Sequence, residues 1–145
     1  MEDRLKALTI LLRASKSVEK VIKDDIASYN LNPSEFGVLE YLYHKGNQPM
    51  ANLCKRLLMA NSSMTYVVDN LVKAGFVEKL ENINDKRSNF VKLTNKGEEY
   101  IKSIFPNHEE KINEIFSQLT EEEIKTLSES LKKIGYYSEE LATRK

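Results

Sequence analysis

The chain has 145 residues, of which 41% are hydrophobic and 30% charged, and its formal net charge at pH 7 is zero. Its length suits one globular domain, and its low content of Gly and Pro favours a helix-rich fold over a disordered chain. No apolar run approaches the roughly 20 residues of a membrane span, and the N-terminal stretch lacks the cleavage site of a secretory signal. We therefore expect a cytoplasmic protein with no membrane partner.

Charge is unevenly distributed along the chain. Residues 49–97 contain eight basic and four acidic side chains, whereas residues 98–145 contain seven basic and eleven acidic ones. The middle of the chain is therefore net +4 and its last third net −4. Because Lys and Arg neutralise phosphates, this asymmetry is compatible with a nucleic-acid partner in spite of overall neutrality.

Apolar spacing and capping residues predict two helices at the start of the chain. Apolar residues recur at spacings of mostly three and four from Leu5 to Ile26, which indicates a long first helix that ends before Asn30. A capping pattern at residues 32–35 then opens a second helix, with Pro at its first position and Glu at its third. This helix should end near His44.

Two shorter helices follow in close succession. The third opens at Pro49, and a break at residues 58–60 separates it from a fourth helix that starts at the capping residues 61–63. In the fourth helix, apolar residues at i, i+3, i+4, i+7 and i+8 from Met64 form one face, and polar residues occupy the others. Gly75 ends this helix.

A hairpin and two further helices complete the prediction. The stretches 76–81 and 89–94 have the composition of short strands, and the polar run 82–88 joins them as a charged tip. Thr94 can cap a fifth helix that Pro106 either kinks or splits, and a capping box at residues 120–123 starts the last helix.

The expected fold is mainly α with a small β-hairpin wing, and residues 49–97 form its winged helix-turn-helix. Such a unit can place its second helix in a major groove of duplex DNA while the hairpin reaches an adjacent groove. Hydroxyls in the first turns of the fourth helix suit base edges and phosphates, and basic residues at the hairpin tip suit the minor groove. The candidate DNA-binding residues are Asn61, Ser62, Ser63, Thr65, Tyr66, Lys73, Lys86, Arg87 and Ser88.

These segments resemble the MarR family of bacterial regulators. The resemblance is carried by the residues and spacing of 53–54, 63–71, 75–77, 85–88 and 91–97, and the flanking helices extend it over nearly the whole chain. It implies a homodimer whose first and last helices intertwine, and which binds a pseudo-palindromic operator. Most such proteins are repressors that a small ligand or thiol oxidation releases from DNA.

The resemblance also implies a division of the chain into functional parts. Residues 1–145 would form a single MarR-type domain, with dimerisation helices at 1–30 and 98–145 and the winged helix-turn-helix at 31–97. Within the latter, 49–75 is the helix-turn-helix and 76–94 the wing.

Two positions depart from the usual residues of the family. Tyr66 stands where many relatives have Arg, which puts their base contact in question, although an exposed aromatic facing a groove favours a DNA contact. In the wing, Asp85-Lys86-Arg87 replaces the frequent Asp-Arg-Arg, which keeps the charge but loses one guanidinium group.

A narrower similarity suggests a small aromatic effector. Residues 31–36, 43–46 and 104–108 are similar to a branch of the family that responds to quinones and hydroquinones. Phe36, Glu40 and His108 would then supply an aromatic face, a carboxylate and an imidazole for a flat ligand with two polar ends. The plainer alternative makes Phe36 a core residue, Glu40 a solvated charge and His108 a surface residue.

Other chemistry receives little support from the sequence. Cys54, the only cysteine, lies on the apolar side of the third helix, which favours a buried inert thiol over a redox sensor. The two histidines do not have metal-ligand spacing, and there is neither a phosphate-binding loop nor a nucleophile motif. We expect no metal, no cofactor and no catalytic residues. A thiol-based sensor and a winged helix that binds only proteins remain the alternatives.

Overall fold

The computed structural model of the protein describes residues 1–81 and 89–144, and this part of the chain contains six helices and three short strands. In chain order the elements are α1 (Glu2–Ala27), α2 (Pro33–Lys45), β1 (Gln48–Pro49), α3 (Met50–Leu57), α4 (Asn61–Lys73), β2 (Val77–Glu81), β3 (Asn89–Leu93), α5 (Asn95–Ile115) and α6 (Glu121–Thr143). The fold class predicted from the sequence is confirmed.

The chain divides into two compact units, Met1–Glu109 and Glu110–Lys145. The first unit contains α1 to α4, the sheet and most of α5, and it holds the hydrophobic core. Helix α6 lies in the second unit and has no buried residue. Among the described residues, no helix combines the length and the apolar character that crossing a membrane requires.

Two capping boxes define helix starts as predicted. The Asn32 side chain accepts a hydrogen bond from the Glu35 amide at 2.8 Å, and the Glu35 carboxylate accepts one from the Asn32 amide at 3.0 Å. Thr120 and Glu123 exchange the same pair of hydrogen bonds at the start of α6. Each box satisfies amides that the first turn of a helix leaves without a partner.

The start of α4 differs from the prediction. Its N-cap is Ala60, which makes no side-chain cap, and the expected capping residues 61–63 form the first turn instead. Helix α3 likewise begins at Met50, one residue later than expected, because Pro49 belongs to β1. The first-turn amides of α4 therefore have no capping side chain and can donate to an external anion.

The wing is part of a three-stranded antiparallel sheet in the order β1-β3-β2. Strands β2 and β3 pair from Val77 opposite Leu93 to Glu81 opposite Asn89, as the predicted hairpin requires. The unpredicted strand β1 pairs Gln48 with Val91. It fastens the base of the wing to the start of α3, and its Pro49 is tolerated because β1 is an edge strand.

Helix α5 continues through Pro106 without interruption, so of the two predicted alternatives, a kink or a split, the split does not occur. Its start is capped as predicted, because the Thr94 hydroxyl accepts a hydrogen bond from the Gly97 amide at 3.0 Å. The helix thus joins the wing directly to the core, where Ile101 and Ile104 are buried.

Leu58 forms the turn between α3 and α4 in a left-handed conformation, with φ 53° and ψ 46°. Its side chain is 87% exposed, so little packing offsets the strain. We predict that Leu58→Gly raises the free energy of unfolding, measured by urea denaturation, by roughly 0.5–1 kcal/mol. The backbone strain that is relieved should exceed the cost of the greater conformational entropy of the unfolded chain. Leu58→Ala keeps the strain and should give no such gain; a lower stability for Leu58→Gly would contradict the account.

Candidate nucleic-acid interface

Helix α4 presents a polar face to solvent and an apolar face to the core. Met64, Val67, Val68 and Leu71 are buried, which confirms the apolar face predicted from their spacing. On the other side, Asn61, Ser62 and Ser63 are exposed in the first turn, and Lys73 is exposed in the last. The helix is therefore held by the core along one side and free to contact a large ligand along the other.

Tyr66 is the large side chain on this polar face and is 70% exposed. It lies one turn after Ser62, so its ring extends the surface formed by the uncapped first turn. An exposed aromatic ring can contact the methyl group of thymine or a sugar.

Thr65 is less available than its neighbours. It is half-buried, and its hydroxyl donates a hydrogen bond to the Asn61 carbonyl at 2.8 Å. The donor of Thr65 is thus used within α4, and only its oxygen lone pairs can serve an external group.

The predicted wing residues Lys86, Arg87 and Ser88 lie outside the described residues. The described base of the wing is linked to α4 by an ion pair in which Lys79 Nζ lies 2.6 Å from Asp69 Oδ1. This contact joins β2 to the polar side of α4, so it fixes the base of the wing relative to that helix.

A compact backbone junction connects the end of α4, the wing and the start of α5. The Phe76 amide donates to the Leu71 carbonyl, and the Phe76 carbonyl accepts from the Thr94 amide, both at 3.0 Å. The Thr94 hydroxyl donates to the Gly75 carbonyl at 2.6 Å. Gly75 has φ +83°, a conformation that favours glycine, which explains why it follows the helix.

Two of the three candidate ligand-binding residues lie together. The rings of Phe36 and His108 have centroids 4.5 Å apart, and both residues are buried. His108 is only 7% exposed, so the plainer alternative is wrong in placing it on the surface, but that alternative is confirmed for Phe36, which belongs to the hydrophobic core. Glu40 points elsewhere along α2, with its Oε1 3.6 Å from His44 Nδ1.

Asp25, which sequence reasoning missed, completes this cluster. Its Oδ2 lies 2.9 Å from His108 Nδ1, and its Oδ1 accepts a hydrogen bond from the Tyr29 hydroxyl at 2.9 Å. Both partners of the Asp25–His108 pair are buried. The spacing of apolar residues could have identified Asp25. It lies three residues after Ile22 and four before Tyr29, which places it on the apolar side of α1.

Cys54 is half-buried, so its thiol is less buried than expected. It packs against the core, and its Sγ lies 4.0 Å from Asn61 Oδ1 at the start of α4. The described residues contain no group of three or more His, Cys, Asp or Glu side chains arranged to hold a metal ion.

Comparisons with known proteins agree with this geometry. The MarR family model matches residues 31–88. The HTH-type transcriptional regulator MhqR of Bacillus subtilis (strain 168) is 40% identical over 134 residues, which cover 92% of each protein. A mutant of MarR from E. coli, complexed with operator DNA, superposes with TM-score 0.79 and 25% identity over 91% of this chain and 95% of that one.

NadR, in complex with 4-hydroxyphenylacetate, shares the fold at TM-score 0.73 and 24% identity, with 86% of this chain and 88% of that one covered. The similarity to MhqR extends over nearly the full length of both proteins. This chain therefore belongs to the MarR family of DNA-binding transcriptional regulators and not to a family of enzymes.

Proposed function

We propose that the protein is a dimeric repressor that binds a pseudo-palindromic operator in the cytoplasm and is released by a small aromatic ligand. The observation that carries the DNA-binding part is the uncapped, exposed first turn of α4, which has hydroxyl side chains and Tyr66 beside it. A helix N-terminus favours a phosphate, and the side chains beside it suit base edges.

We propose that the exposed apolar side chains of α1 and α6 pack against a second copy of the chain. Only Ile26 is buried in the 26 residues of α1, and α6 has no buried residue. The exposed apolar residues include Leu5, Leu8, Leu12, Leu127, Leu131, Ile134 and Leu141. Stripes of this size normally mark an interface, and burying them in a homodimer would remove them from water.

Dimerisation also bears on affinity for DNA. The segment 49–97 carries a net charge of only +4, so one copy would bind duplex DNA weakly. Two copies on a two-fold axis would address half-sites about 34 Å apart, which is one helical turn of DNA. Linking two weak sites at a matched spacing raises the overall affinity without any new contact.

We propose Asn61, Ser62, Ser63, Thr65, Tyr66 and Lys73 as the DNA contacts of α4, and Lys86, Arg87 and Ser88 as those of the wing. In this set, Thr65 acts as an acceptor because its proton is bound to the Asn61 carbonyl. The proposal for the wing rests on its positive charge and on the suitability of Arg for a narrow minor groove.

Tyr66→Ala should weaken binding to the operator about tenfold, because it removes the large exposed side chain of the groove-facing surface. Fluorescence anisotropy of a labelled duplex taken from upstream of the gene measures the change. Tyr136→Ala is the matched control, since Tyr136 is 66% exposed on α6 and the helical period places it on the side opposite Leu131 and Ile134, so it should leave the affinity unchanged. Equal affinities for the wild type and Tyr66→Ala would remove Tyr66 from the interface.

For the effector, we propose a quinone-like or phenolic molecule that binds beside Phe36 and His108. The proposal is supported by the paired rings of these two residues, and by NadR, which binds a phenolic acid in the same fold. Glu40 stays part of the proposal as the carboxylate of the site, and it lies beside His44, whose ring is 4.9 Å from that of Phe105.

Titrating a hydroquinone or quinone against the protein–operator complex should release the DNA. Phe36→Leu, which preserves an apolar side chain but removes the aromatic face, should raise the required concentration roughly fivefold. Cys54→Ser should leave release unchanged, since reversible binding needs no thiol. Loss of release in Cys54→Ser alone would favour the thiol-based sensor, and no release by any such compound would contradict the proposed effector class.

A further inference from the structure

A continuous chain of contacts runs from the buried Asp25–His108 pair to the end of α4. It begins at the Asp25 carboxylate, which lies against His108 Nδ1 on one side and accepts the Tyr29 hydroxyl on the other. These groups come from α1, the residues just after it, and α5. All of the contacts lie within the unit Met1–Glu109.

Tyr100 provides the next link. Its hydroxyl donates a hydrogen bond to the Tyr29 carbonyl, and its ring stacks on Phe76 with centroids 4.8 Å apart and planes 21° apart. The hydroxyl thus contacts the segment just after α1, while the ring contacts the segment just after α4. Tyr100 therefore contacts both Tyr29 and Phe76. The substitution Tyr100→Phe would remove the hydrogen bond to Tyr29 and keep the ring that stacks on Phe76.

Phe76 is held tightly at the other end of the chain. Its amide bonds the last turns of α4 at Leu71, and its carbonyl bonds Thr94 at the end of the wing. The ammonium group of Lys96 lies 5.2 Å from the Phe76 ring and also donates to the Ala74 carbonyl at 2.8 Å. A displacement of the Phe76 ring would therefore be transmitted to both DNA-binding elements.

We propose that Tyr100 is a positioning residue that couples the Asp25–His108 pair to the orientation of α4 and the wing. This inference rests on the proposed DNA-binding function, because its main consequence is for operator affinity. It assigns a role to Asp25, Tyr29, Tyr100 and Phe76, none of which lies on the polar face of α4. A role in packing alone would change the stability of the protein and leave the operator affinity of the folded protein unaffected.

A double-mutant cycle tests the coupling. Operator affinity is measured by anisotropy at one salt concentration for the wild type, Asp25→Asn, Tyr100→Phe and the double variant, each checked for folding by urea unfolding. We expect Asp25→Asn to change affinity threefold or more in the wild-type background and less than 1.5-fold when Tyr100→Phe is present. If Asp25→Asn does not fold, Tyr29→Phe is used in its place. That substitution removes the hydroxyl that donates to the Asp25 carboxylate and keeps the ring of Tyr29.

Tyr43→Phe is the matched control for Tyr100→Phe. Tyr43 is half-buried beside Phe105. Its replacement by Phe also removes one tyrosine hydroxyl, but Tyr43 is not part of the chain of contacts through Tyr29 and Phe76. In its presence the effect of Asp25→Asn should persist in full. Effects of Asp25→Asn that are equal in the wild-type and Tyr100→Phe backgrounds would overturn the proposal.

Amide resonances report the same coupling in the absence of DNA. Asp25→Asn should shift the backbone amide signals of Phe76 and Thr94, and Tyr100→Phe should suppress those shifts. If the wild type binds no duplex, the proposed function fails and these resonances decide the coupling by themselves. If the duplex binds and the resonances do not respond, the coupling through Tyr100 is wrong while the DNA-binding function stands.

Discussion

Replacing Gly97 with Ala should destabilise the protein by about 3 kcal/mol or more, the largest effect that we expect from a single methyl group. A Cβ at Gly97 would lie 2.0 Å from the carbonyl oxygen of Phe76 and 2.8 Å from its carbonyl carbon. That carbonyl cannot rotate away as a flexible side chain could, because it accepts the Thr94 amide at the junction between the wing and α5. The substitution should therefore separate the wing from α5, and operator binding should be lost with it.

Urea unfolding of Gly97→Ala, at fixed protein concentration, measures this effect. Gly135→Ala is the matched control, because Gly135 lies inside α6 and a Cβ there would meet no atom within 4 Å. It should stabilise the protein by roughly 0.5–1 kcal/mol, since Ala favours a helix interior. A Gly97→Ala protein as stable as the wild type would show that the junction is not as close as described.

His108→Ala should lower the free energy of unfolding by about 2–3 kcal/mol. The substitution leaves the buried Asp25 carboxylate with the Tyr29 hydroxyl but without His108 Nδ1 at 2.9 Å from its Oδ2, and it removes the ring that contacts Phe36. A buried acceptor that loses its donor costs more than the hydrogen bond itself contributed. The loss of packed aromatic volume adds to the cost.

His44→Ala provides the comparison for His108→Ala. His44 also lies near a carboxylate, that of Glu40, but both side chains are substantially exposed and the contact is 3.6 Å. Exposed pairs of this kind contribute little to stability, so the loss should come mainly from the contact of the His44 ring with Phe105 and should stay within about 1 kcal/mol. Similar losses for the two variants would contradict the structural importance of the Asp25–His108 pair.

Local signals in the sequence predicted most of the fold. The capping boxes at Asn32 and Thr120, the glycine after α4 and the apolar spacing from Met64 onward each act within a few residues of the chain. Such signals can be recognised without knowing what packs against them. They were sufficient to predict the helix-turn-helix, the hairpin and the fold class.

Features that depend on distant residues were not predictable in the same way. Strand β1 is two residues long and exists because it pairs with β3, more than 40 positions later. The pairing of Asp25 with His108 joins α1 to α5 across 83 positions, so no local pattern specifies it. Ala60 is the N-cap of α4 although Asn and Ser follow it, and it lies two residues after the left-handed turn at Leu58.

In the candidate interface, too, some features follow from the local sequence and others depend on the folded structure. The exposure of Asn61, Ser62 and Tyr66 follows from the helical period of α4, so the sequence was sufficient to place them on the polar face. The state of the Thr65 hydroxyl, bound to its own helix, depends on a rotamer that no sequence pattern specifies. The pairing of Phe36 with His108 also required the fold.

The most direct test of the account is the binding of the purified protein to the duplex upstream of its own gene, measured by anisotropy over a range of salt concentrations. We expect two chains per duplex and an affinity that falls steeply with salt, because each copy neutralises several phosphates. Duplex binding should be strongest where two half-sites lie about one helical turn apart. The absence of salt-dependent binding to any such duplex would contradict the account and favour a winged helix that binds only proteins.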